Sequence, residues 1–392
     1  MSETVIVSGA RTPIGKFLGG FANLTGMDLG GFAIAEALKR AGLSGDQIDY
    51  VIMGQVLQAG QGQITARQAA TKGGVPMNVP AITINKVCLS GLNAVHLADI
   101  LIRAGEIEIA IAGGMESMTN APYAMPKGRT GARMGDAKLV DLMIWDGLWD
   151  AFDNKHMGDG SDTVNSRLGI GRAEQDEWAA RSHERAADAT KAGRLRDEIV
   201  SVEIPQRKGD PILIEEDEGI RPGTTAESLA KLAPAFQKEG TITAGNASQI
   251  SDGGAAMVVM SAAKAKSLGL EPIATVVAHG QVAGPDNSLH MQPANAIKAA
   301  AAKAGLDAAG LDLYEMNEAF ASVAIASGKE LGVSEDKINV NGGAVALGHP
   351  IGMSGARLIL TLANELRRRG GGTGAAALCG GGGQGDALII KV

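Results

Sequence analysis

The sequence repeats itself, and the repeat limits the fold more than any other feature. At a constant offset of about 263 residues, Arg40-Ala41-Gly42-Leu43 followed by Ile48-Asp49-Tyr50 matches Lys303-Ala304-Gly305-Leu306 followed by Leu311-Asp312-Leu313. A strand–loop–helix–strand unit over 81–114 returns as the strand Ile338-Asn339-Val340-Asn341, a glycine-rich loop, a helix from Ser354-Gly355 to Arg368 and the strand Ala375-Ala376-Ala377-Leu378. Even Ser90-Gly91 finds its counterpart in Ser354-Gly355. Short Val/Ile/Ala strands alternating with helices are the grammar of an α/β fold with a largely parallel sheet. Strand 5–8 leads to a helix over 28–41 that Gly42 stops, then to Val51-Ile52-Met53. Further on, Ile109–Ala112 leads into an expected loop, Gly113 to Met118. Two such halves predict pseudo-twofold packing in which equivalent loops meet at one site.

Between the halves the pattern changes. Residues 119–249 are rich in Met, Gly and charge and carry three tryptophans at 145, 149 and 178. One helix is clear over 174–192, acidic at its start, ending with Lys191 before Gly193. The rest, including Met134-Gly135-Asp136 and Asp146-Gly147-Leu148, reads as loops with short helices. The expected division is a first half of 1–118 with 250–270, an inserted loop domain over 119–249, and a second half over 271–392.

Composition excludes several classes. Two cysteines 291 positions apart, in no metal-ligand spacing, argue against a disulfide framework or structural zinc and for a reducing compartment. A net charge of −7 offers no general attraction to nucleic acid, and the basic run Arg367-Arg368-Arg369 reads as a solvated helix end. The chain runs from its start into a strand without a leader, and no apolar run approaches 18 residues, so no membrane span is expected and a cytoplasmic protein is.

The chemistry gathers in the loops that the repeat brings together. Cys88 lies where the strand Ala81–Ile84 turns into an apolar helix from Leu89 to Arg103, expected to be buried on several faces through Leu92, Val95, Leu97, Ile100 and Leu101. The helix macrodipole there favours thiolate, although a free cysteine also serves as a small buried hydrophobe. The second half supplies Asn317-Glu318-Ala319-Phe320, Gly348-His349-Pro350-Ile351-Gly352 and Cys379 with the run Gly380 to Gly385, where backbone N–H groups can approach an oxyanion. A dinucleotide-binding loop should open a helix, whereas this run leads to the strand Ala387–Ile390.

These four motifs, in this order, resemble the active-site motifs of the thiolase family, and the similarity runs from Arg11-Thr12-Pro13 to the last strand. Gly113-Gly114-Met115-Glu116-Ser117-Met118 and His156-Met157-Gly158 place the resemblance nearest the short-chain acetyl-CoA acetyltransferases. It implies two thiolase half-folds with an inserted loop domain, a homotetramer that is a dimer of dimers, and a place in fatty acid metabolism. The implied reaction joins two acetyl-CoA into acetoacetyl-CoA and coenzyme A, or reverses it by thiolysis, with no metal or separate cofactor. By the resemblance Cys88 takes the acetyl group. His349 activates Cys88 and, with Asn317 through a water, holds the enolate oxygen. Cys379 moves the α-proton, and the N–H groups of Cys88 and Gly381 form a second oxyanion hole. Leu148, His156, Met157, Arg221, Ser228, Phe236, Ala244 and Ser248 are assigned to the coenzyme A tunnel, with Ala319 and Phe320 at its reactive end.

One segment departs from the family pattern. Gly284 to Pro293 lacks the usual Met-Gly-x-Gly-Pro of the acyl pocket, leaving Leu289 or Met291 to replace that methionine. A longer-chain degradative 3-ketoacyl-CoA thiolase would share every catalytic residue. A decarboxylating ketosynthase would want two histidines where Asn317 and Cys379 stand, and a non-catalytic coenzyme A- or lipid-binding relative would have lost a nucleophile or base.

Overall fold

The computed structural model describes residues 3–392. Nine strands form the long path of the central sheet: β1 Thr4–Arg11, β2 Tyr50–Gly54, β3 Ala81–Ile84, β4 Ile109–Ser117, β5 Ser251–Ser261, β6 Ala274–Ala283, β7 Leu313–Met316, β8 Thr373–Gly380 and β9 Gln384–Lys391. Their order is β7-β8-β9-β6-β1-β5-β4-β2-β3. Read outward from the centre, β1-β5-β4-β2 mirrors β6-β9-β8-β7, which is the repeat expressed as topology. The two series touch only where Val5 and Ile6 of β1 pair with Thr275 and Ala274 of β6.

Eight longer helices accompany the strands: α1 Gly26–Ala41, α2 Thr65–Lys72, α3 Ser90–Ala104, α4 Met157–Leu168, α5 Arg172–Lys191, α6 Gln292–Ala304, α7 Ala321–Leu331 and α8 Ser354–Arg368. Every residue of β4 and all but the first of β8 are buried, because both faces of these strands are covered. Ala110, Ala112, Ala376 and Leu378 pack on the pair α3 and α8, whereas Ile109 and Ile111 meet α1 and α2, and Ala375 and Ala377 meet α6 and α7. The layers therefore run helices, sheet, helices, sheet, helices. The repeated glycines Gly42 and Gly305 each end their helix at φ +66, the left-handed C-cap a side chain would strain.

Several expectations are corrected. Residues 113–117 continue β4 instead of forming a loop. Their glycines serve close approach, since a Cβ on Gly114 would stand 1.9 Å from Gly352 O and one on Gly113 2.1 Å from Ala255 O. Ile338–Asn341 makes no strand but a single bridge from Ile338 to Tyr314. Asn339, at φ +48, turns the chain and substitutes its side chain for the ladder, accepting from Met316 N and donating to Met316 O, both at 2.8 Å. Helix α4 was hidden by its glycines, and α5 begins two residues earlier than expected. Ile100 of α3 is 45% exposed, so that helix is not buried all round. By composition residues 87–104 are long and apolar enough to cross a membrane, but most of this stretch is α3, which lies against β4 and α8 as a core helix. The run at 367–369 is engaged, not merely solvated: Arg369 Nε reaches Glu365 at 2.8 Å, and Arg368 donates to Arg194 O at 3.0 Å.

Candidate active site

The N-termini of α3 and α8 cross at their repeated Ser-Gly pairs. A Cβ on Gly91 would stand 2.8 Å from Gly352 O, and one on Gly355 2.3 Å from Leu92 N. Only glycine at both positions lets the helices approach this closely. The crossing brings the loop before α3, with Cys88, against the loop before α8, with His349. The two serines hold their loops alike. Ser90 Oγ accepts from Lys86 N at 2.8 Å and donates to Val87 O at 2.6 Å. Ser354 Oγ donates to Pro350 O at 2.9 Å and stands 2.6 Å from His349 Nδ1.

That serine decides the tautomer. Its proton points at Pro350 O, so its oxygen accepts from His349 Nδ1–H and leaves Nε2 bare as an acceptor. Asn317 Nδ2 lies 3.2 Å from Nε2, and Asn317 Oδ1, fully buried, has no hydrogen-bond partner among the described residues. Cys379 is the penultimate residue of β8. Gly382 and Gly383, at φ +77 and +66, turn the hairpin back into β9.

Cys88, His349 and Cys379 line one cavity of about 290 Å³, together with Gly380 and Gly381. Among the described residues no oxygen accepts from the N–H of Cys88 or of Gly381, so both donors are free. Of the residues assigned to the tunnel, Leu148, His156, Met157, Phe236, Ser248, Ala319 and Phe320 also line it. Phe236 stacks on His156 at 4.6 Å between ring centroids and meets Phe320 edge-on at 6.2 Å. Arg221, Ser228 and Ala244 do not line the cavity and are exposed, and the Ser228 hydroxyl is engaged with Thr225 at a helix start. Asn317 is reached only through His349.

The sequence reading missed Met118, Ala247, Gln249, Ile250 and Ile351 in the wall. Ile351 stood inside a recognised motif, and Gln249 and Ile250 adjoined Ser248. It also missed Ser354, whose signal was its place five residues after His349 at a helix start. Between the two candidates for the acyl pocket, Leu289 lines the cavity and packs near Cys379 and Phe320, whereas Met291 faces the outer core.

The electrostatics reverse one expectation. Burial pushes the Cys88 thiol up to about 12, with the Glu116 carboxylate adding to the rise and the residue's own N–H opposing it. Burial likewise raises Cys379. The apolar surroundings disfavour any charge here more than the helix end favours a thiolate. Burial, with help from Arg357, lowers His349 to about 3, so the imidazole is neutral. Nearby Glu116 is pushed up to about 7 by burial, although its carboxylate accepts from Val56 N, Leu57 N and Gly352 N at 2.9 to 3.1 Å. The resting pair is thus a neutral thiol and a neutral base.

Two family models cover the chain: "Thiolase, N-terminal domain" over residues 4–263 and "Thiolase, C-terminal domain" over 270–392. A "Probable acetyl-CoA acetyltransferase" of Mycolicibacterium smegmatis is 58% identical over 99% of this chain and 100% of its own length. Proteins named "Acetyl-CoA acetyltransferase" from Cupriavidus necator and Pseudomonas aeruginosa are 52% and 51% identical, over 100% of this chain and 100% and 99% of their own lengths. A likeness that spans both halves, with the motif residues gathered on one cavity, establishes that the chain belongs to the thiolase family.

Proposed function

We propose that the protein is an acetyl-CoA C-acetyltransferase, an acyltransferase that joins two acetyl-CoA into acetoacetyl-CoA and coenzyme A and also runs the reverse thiolysis. The observation that carries this reading is the meeting of two thiols, a neutral imidazole and two free N–H donors in one apolar cavity. Cys88 Sγ attacks the thioester carbonyl as its proton passes to His349 Nε2, and the N–H groups of Cys88 and Gly381 hold the oxygen on which charge develops. Coenzyme A leaves with the proton of the Cys379 thiol, so that acetyl-Cys88, the Cys379 thiolate and His349 carrying the former Cys88 proton on Nε2 remain. His349 Nε2–H is then a donor for the carbonyl oxygen of the second acetyl-CoA, helped by a water on the otherwise unpartnered Asn317 Oδ1. The Cys379 thiolate takes the α-proton, the enolate carbon attacks the acetyl-Cys88 carbonyl, and Cys88 Sγ leaves and takes its proton back from His349 Nε2. Residues and substrates fill every role in this scheme, so it calls for no further cofactor.

Leu148 and Leu289 narrow the wall near the thiols, which favours a short acyl group over the longer-chain 3-ketoacyl alternative. The pantetheine arm lies along Met157, Phe236 and Ser248, while exposed Arg221, Ser228 and Ala244 suit the end of coenzyme A that stays in water. The segment after β4 carries exposed Tyr123, Met125, Met134 and Leu139, the surface we assign to a tetramer contact. Two unbridged cysteines fit a reducing cytoplasm and a place in fatty acid metabolism.

The test is cleavage of 3-ketoacyl-CoA substrates of increasing length by free coenzyme A, combined with mass measurement of the intact protein after acetyl-CoA treatment. Activity should be highest on acetoacetyl-CoA. Cys88→Ala should show no acetyl increment. Cys379→Ser should keep the increment while condensation falls on the order of 10²–10⁴-fold. An increment that persists in Cys88→Ala would reverse the roles of the two thiols.

A further inference from the structure

The loop carrying Cys88 and the hairpin carrying Cys379 belong to different halves, and an ion pair outside the cavity wall joins them. Lys86 Nζ lies 2.8 and 2.9 Å from the two carboxylate oxygens of Asp386. Lys86 stands two residues before Cys88. Asp386 stands on β9 opposite Leu378, one step from the pair Cys379 and Gly385. The Asp386 side chain is fully buried and that of Lys86 is 21% exposed, so water screens the contact little. Asn93 Nδ2 at 3.4 Å and His279 Nε2 at 3.8 Å complete the surroundings of the carboxylate. Burial works to raise the pKa of Asp386, but His279 and Lys86 outweigh it and hold the group below its usual value. His279 in turn stacks on His96 at 3.5 Å between ring centroids, and Lys303 Nζ donates to His279 O at 2.8 Å.

The Cys88 loop needs such an anchor. Val87, a β-branched residue, sits at φ +49, a left-handed conformation that persists only where the surroundings enforce it. Asn85 Oδ1 takes its N–H at 2.9 Å and Ser90 Oγ donates to its carbonyl, but both residues belong to the same loop and helix start. Besides the crossing of α3 with α8, the Lys86 side chain gives this turn a direct ion-pair link to β9 of the other half.

We propose that Lys86 and Asp386 are positioning residues whose ion pair sets the spacing between Cys88 and Cys379, so that the acylated sulfur and the α-proton acceptor meet one substrate. The inference rests on the functional reading above. Neither residue touches substrate, and the pair acts through the two loops it joins. A shift of about 1 Å in a reacting geometry costs on the order of 10²-fold in rate.

The test compares Lys86→Met, Asp386→Asn, their double variant and Lys86→Arg, measuring kcat and KM for acetoacetyl-CoA thiolysis, thermal midpoint and the acetyl increment on intact protein. Each single variant should lower kcat by roughly 10–10²-fold with KM within about threefold. The double variant should be no slower than the slower single, because both remove the same link. Lys86→Arg, which keeps the charge, should recover most of the rate. The inference is overturned if the single variants lose less than about twofold, if their losses multiply in the double, or if Lys86→Arg is as slow as Lys86→Met. Should Asp386→Asn fail to fold, Lys86→Met against Lys86→Arg decides alone, since Lys86 is partly exposed. Absence of the acetyl increment in the unsubstituted protein would count against the functional reading itself, whereas its presence with unaffected variants would count against this inference only.

Discussion

At the scale of single residues, the site is built from groups kept neutral until they are used. Burial sets Cys88 near 12 and His349 near 3, so in the proposed mechanism a proton moves from sulfur to imidazole only as the sulfur attacks. This has a pH signature. Between pH 5 and 8 a base with its pKa near 3 stays unprotonated and a thiol near 12 stays protonated, so neither titrates. In a Cys379→Ser background, alkylation of Cys88 by iodoacetamide should therefore change much less than tenfold per pH unit over that range, with only the modest effect of Glu116 ionising near 7 beside it. His349→Ala should be slower and rise about tenfold per pH unit, as a thiol reacting only through its free thiolate does. A tenfold rise per unit with His349 intact would remove its role as the base. Ser354 belongs at this scale too, because its bond to Nδ1 leaves Nε2 as the working nitrogen.

At the scale of elements, Glu318 is the hub by which α5, in the segment between β4 and β5, grips the chain around β7 and α7. Its carboxylate accepts from Trp178 Nε1 at 2.9 Å and Ser182 Oγ at 2.8 Å, both on α5, from Asn339 Nδ2 at 2.8 Å and from Val345 N at 3.0 Å. Four donors need two anionic oxygens. Glu318→Gln places an amide N–H among donors and leaves at least one of them unsatisfied, and should destabilise by about 3 kcal/mol. The urea midpoint measures this, and a loss under about 0.5 kcal/mol would show that the hub is not needed. Because Asn317 precedes Glu318, the same hub steadies the residue that touches His349.

At the scale of the whole molecule, one buried network joins β1, α8 and the segment between β4 and β5. Arg11 of β1 pairs with Glu198 and Asp217 of that segment, each at 2.7 Å, and Thr361 of α8 donates to Glu198 at 3.1 Å. By contrast, residues 125–139 are mostly exposed and make no comparable attachment. Met134 is 98% exposed and Leu139 59%, apolar surface that a single copy leaves in water. If the tetramer proposed above forms, deleting 119–145 should leave folded dimers in sedimentation. An intact protein already monomeric or dimeric at micromolar concentration would refute the assembly.

The sequence alone determined the duplication, since matched glycines and apolar strands recur wherever the same backbone must be built twice. It also named the candidate reacting residues, through the four motifs that resemble those of the thiolase family. Tertiary structure decided the rest. Whether Gly113 and Gly114 mark a turn or a close approach depends on Ala255 and Gly352, residues far away in the chain. That Asn339 replaces a strand depends on the opposing Met316. The protonation of Cys88 follows from how completely the two halves bury it, and no local pattern encodes that. Leu289 was distinguished from Met291 by the turn of chain before α6, which points one side chain at the thiols and the other at the outer core. Identity is written residue by residue, whereas desolvation and close approach belong to pairs that only folding brings together.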